Sequence, residues 1–185
     1  MDTGRSDREF ELNRQLREVA LANDGVLTVE VLYRLGLSWT MIQKRKDAGR
    51  LLPILKGSFA LPGARLSMRG RLRAALASVS PNVVVSHRSA LALHGLVTEY
   101  GPVHLTGESG SFRESGSTRW ENGNIGLRVL RHETRQLPAE HCTEVDGIRA
   151  TTAERALRDY AAMAKPDEIT KALTQGEKER KFCWT

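Results

Sequence analysis

The chain has 185 residues, 40% of them hydrophobic and 27% charged, which suits one ordinary soluble domain or a small one beside a medium one. No run approaches the roughly 18 apolar residues of a membrane-spanning helix, and the charged start MDTGRSDREFEL is unlike a secretory signal, so no membrane partner is expected and the expected compartment is the cytoplasm. The only cysteines, Cys142 and Cys183, stand far apart, as free thiols in a reducing compartment do, and not as a disulfide framework or a CxxC metal site.

The net charge of +6 is unevenly spread. Between Arg34 and Arg73 ten lysines and arginines face one acid, Asp47, whereas the rest of the chain carries eighteen basic and twenty-one acidic residues. Such a window is the footprint of a polyanion partner; the bland alternative is a solvated basic face.

In chain order, residues 7–22 place Phe10, Leu12, Leu16, Val19 and Ala20 at three- and four-residue spacing, which predicts an amphipathic helix stopped by Asn23-Asp24-Gly25. Val26-Leu27 reads as a short strand or a packed linker. Thr28 caps a second helix, VEVLYRL, which Gly36 breaks while Leu37 plugs the turn. Ser38 caps the next helix, residues 39–48, and Gly49 suits a left-handed C-terminal cap. Helix, glycine turn, capped helix is a helix-turn-helix pattern, with residues 39–48 as the recognition helix. Leu51–Leu55 and Ser58–Leu61 then read as two strands around Lys56-Gly57, the position of a wing. At its tip the glycine would let the backbone approach a phosphate.

Helical geometry turns Ile42 to the core, with Arg45 and Lys46 near that side and the rim, and sets Trp39, Thr40, Gln43, Lys44 and Asp47 on the outer face. Gln43 suits bidentate reading of adenine, and Thr40 suits a thymine methyl or a phosphate. Lys44, Arg50 and Lys56 are the phosphate anchors. Trp39 is divided between packing on the domain surface and touching a base or sugar. The expected DNA-binding set is Ser38, Trp39, Thr40, Gln43, Lys44, Arg45, Arg50, Lys56, Arg69 and Arg73.

The segment from Gly25 to Gly63 resembles the N-terminal winged-helix domain of the AbiEi family of type IV antitoxins. It carries the family's order of Gly36-Leu37-Ser38, a helix, Gly49-Arg50-Leu51 and Gly57-Ser58-Phe59. VVVSHRSALALHGL (83–96) and GIRATTAERALRDYAA (147–162) are similar to two hallmark segments of the family's second domain. Relatives often show a small aliphatic residue and Tyr where Ser58 and Phe59 stand. Many also carry a C-terminal domain resembling a very-short-patch-repair endonuclease, for which this chain ends too early. The resemblance implies an autorepressing antitoxin that binds its own promoter and neutralises a nucleotidyltransferase-like toxin without a stable complex. A dimer on an inverted repeat would suit the helix-turn-helix.

Residues 67–80 predict a helix linking the wing to the second domain, with Arg69, Arg71 and Arg73 around its polar side. Beyond it come a strand at Asn82–Val85 and a helix at His87–Leu93 capped by Ser86. Strands follow at Val103–Thr106 and Ile125–Leu130, separated by a loop over 107–124. A hairpin arm at Val145–Ala150 leads to a helix capped by a Thr151/Glu154 capping box, and a last helix spans 166–175, ended by Gly176. His87, His94 and His104 invite a metal, but without a carboxylate at ligand spacing they read as packing and helix-terminal residues. Ser86-His87 lacks the elbow of a nucleophile, no glycine-rich phosphate loop is present, and Glu179-Arg180-Lys181 lies in a polar tail, outside the strands an E-x-K nuclease needs. Asp159 sits where the family has an acid, and a structural role, capping or pairing with a nearby arginine, is expected of it in preference to catalysis.

The expected architecture is α+β: a winged helix-turn-helix over 1–65, a linking basic helix over 66–80, a mixed α/β antitoxin-like domain over 81–176 and a polar tail over 177–185. The expected function is DNA-binding transcriptional regulation with duplex DNA as partner, no enzyme activity and no cofactor or metal. The alternatives are a nuclease or toxin-modifying enzyme carried by residues 80–185, and a nucleic-acid or protein interaction module.

Overall fold

A computed structural model describes residues 3–98, 101–112, 119–122 and 127–179. The architecture is α+β, with seven α-helices, a three-stranded antiparallel sheet and a six-stranded mixed sheet among the described residues. Two compact units divide the chain, residues 1–78 and 79–185.

In the first unit α1 (Thr3–Ala22) lays Leu16 and Ala20 into the core, with Leu12 and Val19 partly buried beside them. Phe10, expected on that stripe, is 72% exposed instead. The inward stripe begins only at Leu12, one turn after the sequence pattern suggested. β1 (Leu27–Thr28) is a two-residue strand, and Thr28 at its end also caps α2 (Val29–Arg34) by accepting from the Val31 N–H. Ser38 caps α3 (Trp39–Asp47) in the same way through the Met41 N–H. Each cap satisfies a backbone donor that a helix start leaves without an intrahelical partner. Gly36 and Gly49 take φ of +82° and +66°, the left-handed values that end a helix and turn the chain.

β2 (Leu52–Leu55) and β3 (Ser58–Ala60) form a hairpin, and β1 pairs antiparallel with β3 through Leu27 and Phe59. Leu27, Leu32, Leu37, Ile42, Leu51 and Phe59 close the core. α4 (Met68–Ala77), capped by Ser67, packs on this hairpin. The helix expected to link two domains thus belongs to the first unit. Its approach is close: a β-carbon at Gly70 would lie 2.2 Å from the Asp24 carbonyl oxygen, so this contact admits no side chain.

In the second unit the sheet comprises β4 (Val84–Val85), β5 (Val103–Glu108), β6 (Arg119–Asn122), β7 (Leu127–Thr134), β8 (Cys142–Val145) and β9 (Ile148–Thr151). Their order is β6-β7-β5-β4-β9-β8. β5 runs parallel to β7, and β4 parallel to β9; the other neighbours are antiparallel. β6 falls within the stretch expected to be loop, while residues 113–118 and 123–126 of that stretch lie outside the described residues.

α5 (His87–Leu93) is buried along its whole length and packs on α6 (Ala153–Ala161). Ser86 precedes α5 without donating or accepting a cap bond, contrary to expectation. Thr152, not Thr151, caps α6, because Thr151 is the last residue of β9. α7 (Pro166–Lys178) continues through Gly176, which is buried within the helix and does not end it. The tail from Arg180, including Lys181 and Cys183, lies outside the described residues. No helix among the described residues is long and apolar enough to cross a membrane.

Candidate functional site

The sequence-predicted surface is built on α3. Ile42 is fully buried and holds the helix on the core, so the residues around it must divide between inside and outside. Trp39 is 52% exposed, and Ser38, Thr40 and Lys44 are exposed with it. Nearly half of the Trp39 side chain is covered by the domain, and the rest is open to solvent. Met41 also lies in the open at 40% exposure.

Three predicted residues are engaged inward. Arg45 is buried at 7% exposure; its guanidinium donates to Asn13 Oδ1 at 2.9 Å and Glu9 Oε1 at 2.8 Å on α1. The helix rim beside Ile42 is covered by α1, which brings a carboxylate to meet the buried charge. Arg73 likewise pairs with Asp24 at 2.9 Å and is only partly exposed. Gln43 is half-buried, and its amide oxygen accepts from Lys46 Nζ at 2.6 Å, so one half of the fork expected to read adenine is already occupied.

Arg50 shares the Glu9 carboxylate at 3.0 Å while its side chain stays 62% exposed. Lys56, at the hairpin turn, and Arg69, on α4, are exposed. A β-carbon at Gly57 would stand 3.2 Å from the Ala77 carbonyl, and its own carbonyl accepts from the Val29 N–H at 3.0 Å. Its φ of +78° and the closeness of α4 both call for glycine.

The second unit holds a constellation that the sequence reading missed. His87, His104 and His132 each present a ring nitrogen within 4.8 Å of the others. His87 opens α5 with φ of +51°, a left-handed conformation costing a non-glycine residue about 1 kcal/mol. His104 lies on β5 and His132 on β7. The parallel register sets His104 beside Leu130 and Thr106 beside His132, which brings the two rings within reach of each other.

His104 Nδ1 and His132 Nε2 share a hydrogen bond of 3.0 Å, and the His87 and His132 rings stack with centroids 3.8 Å apart. His87 Nδ1 lies 2.9 Å from Ser86 Oγ, which accepts from Thr106 Oγ1 at 2.7 Å.

Burial pushes the His87 imidazole down to about 3, helped by His132, His104 and Arg155. Burial also takes His104 down to about 4, with His132 and Arg88 acting in the same direction. His132 is lowered by burial, and the negative charge of Asp159 opposes that shift. Near neutral pH the rings of His87 and His104 are therefore uncharged, with lone pairs available. Imidazoles in this state can share protons or hold a metal ion.

Asp159 accepts two bonds from Arg155 Nε, at 2.8 and 2.9 Å, the structural pairing expected of it. His94 stands apart from the cluster and contacts the Thr151 carbonyl at 2.9 Å. Cys142 is a partly buried free thiol, and burial pushes it above its ordinary range. The sequence matches no protein-family model and no curated protein.

Proposed function

We propose that the chain is a duplex-DNA-binding transcriptional regulator whose first unit is a winged helix-turn-helix. In this reading α3 enters the major groove, and the β2–β3 hairpin is the wing. The observation that carries it is the pairing of a Ser38-capped helix, anchored by Ile42 and showing Trp39, Thr40 and Lys44 outward, with a hairpin that follows at once and carries Lys56 at its turn.

Lys44, Arg50 and Lys56 position the protein on phosphates, Arg69 extends that surface, and Thr40 with the free half of the Gln43 amide reads base edges. The resemblance to AbiEi antitoxins supports an autorepressor that acts in the cytoplasm, without enzyme activity, on its own promoter. Its regulatory target would be a nucleotidyltransferase-like toxin neutralised without a stable complex.

Footprinting on the DNA upstream of the chain's own gene tests the reading. One protected site, widened to an inverted repeat if a dimer binds, is the expected result. Affinity for that site should fall steeply as salt rises, because several phosphate contacts release counterions. Absence of any protected sequence, or affinity indifferent to salt, would remove it.

A further inference from the structure

We propose that His87, His104 and His132 form a binding site for one divalent transition-metal ion, best matched by zinc(II), in the second unit. The donor set selects the ion. Three imidazoles and no carboxylate disfavour magnesium and calcium, which take oxygen ligands, and suit zinc, copper, iron or nickel. Zinc accepts three imidazoles readily and keeps its fourth tetrahedral position open for water or an exogenous ligand.

The spacing is close to what binding requires. Zinc–imidazole bonds of about 2.0–2.1 Å place ligating nitrogens roughly 3.3 Å apart. His104 Nδ1 and His132 Nε2 already stand 3.0 Å apart. On binding, the ring that donates in this bond shifts its proton to its other nitrogen, and each of the two facing nitrogens directs a lone pair to the ion. His87, with a ring nitrogen within 4.8 Å of the other two, completes the set.

Ser86 acts as a positioning residue. Its hydroxyl, held by Thr106, lies 2.9 Å from His87 Nδ1, so it can accept that N–H and leave Nε2 for the ion. Asp159 supplies negative charge near His132, partly offset by its partner Arg155.

Packing alone accounts poorly for the cluster. Three imidazoles in a largely buried place carry a desolvation cost that apolar side chains would avoid, and His87 adds backbone strain to reach it.

The test uses the full chain, stripped with a chelator, dialysed and titrated with zinc chloride in a calorimeter, with cobalt(II) as a spectroscopic stand-in. Expected are one zinc per chain, a higher Tm in zinc than in chelator, and visible absorption bands typical of tetrahedral cobalt. H132A and H104Q should each weaken zinc binding by roughly a hundredfold or more, since each removes a ligand, and S86A by about tenfold. H94A, outside the cluster, should bind as the parent does. If H104Q fails to fold by circular dichroism, H132A at the half-buried position carries the test. A parent chain that takes up no stoichiometric zinc overturns the proposal. So does binding that H132A leaves unchanged.

Discussion

The two units treat polar groups in opposite ways. Among the described residues of 1–78 the buried polar side chains are Arg45 and Ser58, against a core of leucine, isoleucine and phenylalanine, and the cations lie mostly outside. In residues 79–185 Ser86, His87, Arg88, Ser89, His104, Thr106 and Thr151 are all buried. Arg88 bonds the Tyr160 hydroxyl at 2.6 Å and the Thr98 carbonyl at 2.8 Å. Exposed polar groups can be replaced with little cost to folding, whereas buried ones are tied to stability through the partners they satisfy. The first unit should therefore separate binding from stability under mutation. The second should not.

In the first unit the largest expected effect is Ile42→Ala. It opens a cavity beneath α3 and should lower unfolding free energy by about 3 kcal/mol, measured by denaturant titration.

Next comes acid. His87 and His104 have folded pKa values depressed to about 3 and 4, below the 6.5 of an unfolded histidine. The unfolded chain then takes up more protons as pH falls. Stability in chelator should be full above about pH 6.5, decline below it, and stop declining from this cause only below about 4 and 3. Tm against pH checks this, and His104→Gln should flatten the slope; an identical slope in that variant would break the contrast between the units.

A smaller effect concerns DNA. Lys44→Ala with Lys56→Ala should weaken binding to every sequence and reduce the salt slope by about 2, with Tm unchanged, as read by fluorescence anisotropy across a salt series. Gln43→Ala should instead relax preference at one base position, by about 1 kcal/mol because only half its amide is available. Smallest is Arg34→Ala, which breaks an exposed pair with Glu30 and should move stability by less than about 0.5 kcal/mol.

Local chemistry made much of the first unit legible. Thr28 and Ser38 cap the helices they precede, as expected, because a cap is decided within three residues. The hairpin around Lys56-Gly57 and the arm at Asp146-Gly147 were legible for the same reason.

What escaped depends on distant pairing. The basic window between Arg34 and Arg73 looked nearly unopposed, yet Arg34, Arg45, Arg50 and Arg73 meet Glu30, Glu9 and Asp24, acids lying outside it. Nothing local marks Glu9 as the partner of a residue 36 positions away. The histidine cluster was missed because it depends on the register of β5 with β7, across a polar stretch that conceals β6. His94, closer in sequence to His87, was weighed in place of His132.

Glu9 has a consequence for how the first unit would meet DNA. Its carboxylate, resting on Arg50, imitates the anion that a phosphate would present to that guanidinium. On the proposed function, DNA would have to compete with an acid the protein carries itself, which would lower idle affinity for random duplex and leave more of the discrimination to the outward side of α3. Glu9→Gln would remove that internal competitor and raise affinity for random duplex, and, because Glu9 also meets the buried Arg45, it would lower stability as well.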